Sequence, residues 1–153
     1  MHFGSSTAGA ALKPHQVRVE KQTLGDWQHL PSKVTASVTM IIYADGIAET
    51  EDEDNLDKMI ALNDQQAKTV ELLAGMLKAA LSDAYPIPYA RGHLESVIAQ
   101  KDPSLDDEAL QTVYGNIVHA PEGKELETLQ QESTHYSLEW KGIKARPRLR
   151  RAQ

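Results

Sequence analysis

Residues 34–83 read VTASVTMIIYADGIAETEDEDNLDKMIALNDQQAKTVELLAGMLKAALSD, and the fold class turns on a change of period inside them. Before Asp45-Gly46, Val34, Ala36, Val38, Met40 and Ile42 recur at every second position, which gives one face of a strand from Val34 to Tyr43. After it, Leu56, Met59, Ile60, Ala67, Val70, Leu73, Met76, Leu77, Ala80 and Leu81 return mostly every three or four positions, the spacing of one helix face. That helix is expected from about Asn55 to Asp83, either unbroken or restarted at Asn63, with Gln66 in the reciprocal capping position. Leu56, Asn63, Val70, Leu77 and Ala84 also fall seven apart, as in an oligomer seam. A core helix lying on a sheet explains the same pattern and is the preferred reading.

Towards the N-terminus, Val17 and Val19 alternate with Gln16, Arg18 and Glu20 as a second short strand, and Gly25, Pro31 and Ser32 mark a turn region between the two. Residues 1–12 are small and polar, with little to bury, and read as a flexible arm. Towards the C-terminus, Pro86 and Pro88 end the long helix, because neither can donate a backbone hydrogen bond. A shorter helix is expected over His93 to Gln100. Another is expected to start at Asp102-Pro103, with Asp102 as its cap and Leu105, Leu110, Val113, Tyr114 and Ile117 as its apolar stripe. Past Pro121 to Gly123, a short helix carries Leu126 and Leu129, and the alternation of Tyr136, Leu138 and Trp140 with Ser137 and Glu139 reads as a third strand. The expected order is β-β-α-α-α-β: an α+β fold with a small antiparallel or mixed sheet of about three strands covered by the long helix. A single domain over 13–142 and a basic tail over 143–153 complete the layout.

The chain has no cysteine, which removes disulfide frameworks, thiolate zinc sites and cysteine nucleophiles. Phe3 is the only phenylalanine, so the core must rest on Leu, Val, Ile, Met and Ala. The opening residues lack the positive charge and apolar run of a secretory signal, and Met40 to Ala44 is too short to span a bilayer. A cytoplasmic address without a membrane anchor is therefore expected.

Charge is segregated. Asp45, Glu49, Glu51, Asp52, Glu53, Asp54 and Asp57 occur with no basic residue among them, while Lys141, Lys144, Arg146, Arg148, Arg150 and Arg151 occur with no acid among them. The net charge of −6 becomes about −12 once those six cations are set aside. No glycine follows the acids as a calcium loop requires, and the stretch reads as a solvated segment whose acids favour the helix N-terminus. The basic tail can neutralise phosphates, dock on another subunit, or reach the acidic loop of a neighbouring copy; a disordered, solubilising terminus is the plain alternative.

A third cluster, Tyr85, Tyr89, Arg91 and His93, lies on a proline-bounded segment and combines residue types that anchor interfaces. No histidine pair falls at metal-binding helical spacing, and neither a phosphate-cradling loop nor a dinucleotide fingerprint occurs, so no metal, cofactor or catalytic residue is assigned. The reading that follows is a non-enzymatic binding or assembly protein, a small subunit contacting other protein chains, itself included, through its arm, tail and tyrosine-rich segment. The alternatives are a nucleic-acid-associated regulator that binds phosphates through the tail, and a small enzyme with a carboxylate or His93 site.

Overall fold

The computed structural model describes residues 40–153. The expected arm, the strand at Val17 and Val19, and the first half of the strand from Val34 lie outside the described residues. The fold class is α+β, with elements in the order β1 (Met40–Ile42), β2 (Ile47–Thr50), α1 (Glu53–Leu81), α2 (Pro86–Gln100), α3 (Asp107–Val118), α4 (Glu125–Ala145) and β3 (Arg150–Arg151). The sheet runs β1-β2-β3, antiparallel between the first pair and parallel between the second. The chain forms two compact units. One holds the sheet, the start of α1 through Asp57 and residues 147–153; the other is Lys58–Arg146.

In the sheet unit, Asp45-Gly46 turns the chain from β1 into β2. The Tyr43 amide donates to Ile47 (2.8 Å), the Gly46 amide to Tyr43 (3.0 Å), and the Asp45 carboxylate accepts from the Ile47 amide (3.0 Å). Gly46 has φ +86°, a left-handed conformation that costs glycine nothing and most residues about 1–2 kcal/mol. The antiparallel register then pairs Met40 with Thr50 and Ile42 with Ala48. β2 escapes the period-2 reading because only Ile47 and Ala48 in it are apolar. The α1 N-terminus is capped by Asp52, whose carboxylate accepts the Asn55 amide at 3.0 Å, with Glu53 and Asp54 in the first turn.

In the helical unit, α1 runs through Asn63 without interruption and ends at Leu81. Leu73, Leu77 and Ala80 of α1 meet Ala90 and Leu94 of α2, Leu110, Val113 and Ile117 of α3 and Leu129 of α4 in one apolar core. Each fully buried leucine stabilises the fold by roughly 1.5–3 kcal/mol. Three polar contacts clip the helices from outside: Gln66 to Glu139 (3.2 Å), Tyr114 to Glu95 (2.7 Å) and Asn116 to Glu132 (2.7 Å).

Three expectations are corrected. The third strand at Tyr136, Leu138 and Trp140 is helix, inside α4. Along it Leu129, Ser133, Tyr136, Trp140 and Ile143 are at least partly buried, a three-and-four spacing, whereas Leu138 is 65% exposed. The strand that returns to the sheet is β3, ten residues further on. The cap of the third helix is Asp106, which accepts the Ala109 amide at 3.2 Å, while Asp102 closes a turn onto the Ser104 amide at 2.8 Å. Finally, Pro86 and Pro88 do not bound a loop. Pro86 opens α2, where the missing N–H lacks a helical partner anyway, so the helix begins seven residues before His93.

Candidate functional site

The six C-terminal cations fall in three settings. Lys141 and Lys144 lie in the last two turns of α4, where positive charge complements the carbonyl end of the helix; Lys144 Nζ stands 5.5 Å from the centre of the Trp140 ring. Arg146 follows the helix in extended conformation (φ −95°, ψ 143°), as a residue before proline must. Beyond Pro147, Arg148 leads into β3, which Arg150 and Arg151 form. The Arg150 amide donates to the Gly46 carbonyl (2.9 Å) and the Ala152 amide to the Ala48 carbonyl (3.1 Å), pairing Ile47 with Arg150 and Ala48 with Arg151.

Arg151 is the focus of the sheet unit. Its Nε lies 3.3 Å from Glu53 Oε2 and its Nη2 hydrogen-bonds Asp57 Oδ1. Glu53 and Asp57 are four residues apart in the first turns of α1, so both carboxylates face the same way and share one guanidinium. The hydrogen bond to Asp57, the charge of Asp57 and that of Glu53 all raise the Arg151 pKa further above its ordinary value. All three side chains remain about half exposed. The approach of the segment is close at Gly46, where a Cβ would overlap the Arg148 carbonyl oxygen. Among the described residues, no ion pair is formed by Arg146, Arg148 or Arg150, all of which are exposed.

The tyrosine-rich cluster does not converge. Tyr85 precedes α2 and is 73% exposed. Tyr89 and His93, four apart, stack with ring centres 4.3 Å from each other. Arg91 lies on the other flank of the buried Ala90 and Leu94 stripe, near Tyr114 and Glu95. The Tyr114 phenol is raised above 10.0 chiefly by its hydrogen bond to Glu95, then by partial burial and the Glu95 charge, with Arg91 pulling the other way. His93 is exposed.

A cleft of about 580 Å³ lies beside the C-terminal end of α2 and the start of α3, lined among others by Gln65, Lys101, Asp102 and Asp106. Its Gln65, Asp102 and Asp106 side chains serve the backbone. The Gln65 amide donates to the carbonyls of Leu105 (3.0 Å) and Pro103 (3.3 Å), and Asp106 caps α3. Asp102 is held below its ordinary value of 3.8, first by the Ser104 backbone N–H and then by the Ser104 hydroxyl, which disfavours the protonated form a general acid needs. Among the described residues no group of three His, Asp or Glu side chains could hold a metal ion, and no helix is long and apolar enough to cross a membrane.

The carboxylates Glu53 and Asp57 that hold Arg151 escape sequence reasoning as a site, since they read as part of a solvated acidic run. Their four-residue spacing opposite an arginine-rich end was the available signal. No protein-family model matches the chain, and no curated protein or solved structure matches it significantly.

Proposed function

We propose that this chain is a non-enzymatic binding or assembly protein of the cytoplasm, a small subunit that contacts other protein chains through its basic C-terminal segment and the exposed start of α2. One observation carries the reading: residues 148–152 dock by backbone pairing and a carboxylate-bound arginine, contacts of the kind by which separate chains recognise each other. The exposed Arg146, Arg148 and Arg150 lie beside that dock in sequence and supply further charge for a partner. In the cleft, by contrast, the Gln65 and Asp106 side chains are already committed to backbone hydrogen bonds. Affinity capture from native extract, with the intact chain and with one ending at Trp140, is the test. The intact chain is expected to retain a partner that the shortened chain loses, and to exceed monomer mass by light scattering. A strict monomer that retains nothing defeats the proposal.

A second reading, phosphate binding to nucleic acid, is favoured by those same exposed arginines. It requires affinity that falls steeply with rising salt and disappears when residues 141–153 are removed. Undetectable binding to duplex or single strands at low salt excludes it.

A further inference from the structure

We propose that two copies of this chain associate by exchanging β3: the cradle made by β2 and the first turns of α1 accepts residues 148–152 of a second copy in place of its own. The inference rests on the assembly reading and names its partner, site and ligand segment.

Three features of the sheet unit support it. First, the cradle is a receptor specific for this segment. The Gly46 and Ala48 carbonyls accept the Arg150 and Ala152 amides, Gly46 leaves room for the Arg148 carbonyl, and Glu53 and Asp57 share the Arg151 guanidinium. None of these contacts depends on which molecule supplies the segment. Second, the segment is lightly held. β3 is two residues long and both its arginines are exposed, so its release costs little compared with unfolding either unit. Third, the connection is suited to exchange. Only residues 146–149 join α4 to β3, and Pro147 keeps Arg146 extended, which disfavours a tight reversal at that point. Short, stiff hinges of this kind favour trading an element between protomers over closing it within one.

A second copy is the occupant that carries this same basic segment. The body of the chain is strongly acidic, and its stretch 45–57 holds seven acids and no base. Exchange keeps each acidic stretch matched to a basic end at both sites, so it leaves no cradle with unpaired charge. A two-fold arrangement also satisfies both cradles and leaves none open, which closes the assembly at a dimer.

Paired charge reversal tests this directly. One chain carries Arg151→Glu and the other carries Glu53→Lys with Asp57→Lys. Each alone has a mismatched segment and cradle, both within a molecule and between identical copies. In the mixture, each segment meets a cradle of opposite charge only by crossing to the other chain. Sedimentation equilibrium is expected to show a 1:1 dimer of the 16.9 kDa chain, with a dissociation constant at least about tenfold lower than for either variant alone. Adding Gly46→Ala to both chains must abolish it, because the new Cβ displaces the Arg148 backbone. A mixture no more associated than its components overturns the proposal.

Should either charge variant lose its helical circular dichroism, cysteine trapping replaces it, since the chain has no cysteine of its own. Ile47→Cys in one copy and Arg150→Cys in another occupy paired positions. Exchange yields the mixed disulfide dimer in excess of the two like-with-like dimers, and a statistical mixture refutes it. Failure here, with capture of a partner by the intact chain still lost on truncation, would leave the assembly reading standing and remove only strand exchange.

Discussion

Thr69 offers the sharpest test of how the helical unit is held. It is 1% exposed, and its hydroxyl does two things: it donates to the Gln65 carbonyl and accepts from the Asp106 amide, each at 2.8 Å. The second bond joins α1 to the cap of α3. Thr69→Val keeps the shape but leaves the Asp106 amide without its acceptor, at a cost of about 1–3 kcal/mol for an unsatisfied buried donor. The Gln65 carbonyl loses less, because α1 already supplies it with a helical partner. Thr69→Ser keeps both hydrogen bonds and removes one buried methyl, at a cost of about 1 kcal/mol. Urea denaturation followed at 222 nm should therefore rank wild type above serine and serine above valine, with the valine variant lower by about 2 kcal/mol and its thermal midpoint lower by about 10 °C. Faster hydrogen exchange at the Asp106 amide should accompany the valine change alone. A valine variant as stable as wild type would show that the hydroxyl bridge contributes nothing and that Thr69 acts only by filling space.

Four further outcomes follow from local geometry. Asp106→Ala should destabilise by about 1 kcal/mol through loss of the α3 cap, and Asp102→Ala should cost less in the same urea experiment. The Asp102 pKa is lowered on folding, so its contribution is present above the unfolded value and fades as pH falls through the folded one; Asp102→Ala should flatten the stability profile on that acid side. Lys101 ends α2 in the left-handed region at φ 49°, and Lys101→Gly should stabilise by roughly 0.5–1 kcal/mol while Lys101→Ala gives no gain, as read from thermal midpoints. The Tyr114 phenol, raised by Glu95, contributes stability below its unfolded value that is lost as pH rises through the folded one; ultraviolet titration of phenolate should show Glu95→Gln bringing that ionisation down towards 10.0.

The long helix was legible because its buried set, Val70, Leu73, Leu77 and Ala80, recurs over several turns at a spacing that a strand does not produce. The error at Tyr136 to Trp140 has the opposite cause. Five alternating residues fit a strand and a helix equally until Ser133 and Leu129, one and two turns earlier, extend the stripe. The misplaced α3 cap has a further cause. Asp102-Pro103 and Asp106 both carry start signals, and the choice between them is made by Thr69 and Gln65, 30 and more residues away, which hold the backbone of 103–106 in a non-helical path. Local propensity supplies two candidates there, and a tertiary contact picks one.

The candidate site divides along the same line. Opposite charge at the acidic stretch and the basic end is a property of composition, and it points to contact between them without fixing which residues meet. Arg150 and Arg151 are adjacent and chemically equal, so electrostatics alone would let either occupy Glu53 and Asp57. In a strand they project to opposite faces, and a slip of one residue would exchange their roles. The backbone removes the ambiguity. Gly46, in its left-handed turn, admits the Arg148 carbonyl where any larger residue would exclude it, and this seats the Arg150 amide on the Gly46 carbonyl. Arg151 then faces the two carboxylates, and Arg150 is left exposed without an ion pair among the described residues. The specificity of the cradle thus resides in a glycine that carries no charge, which is why a reading of charge located the partners but not the lock.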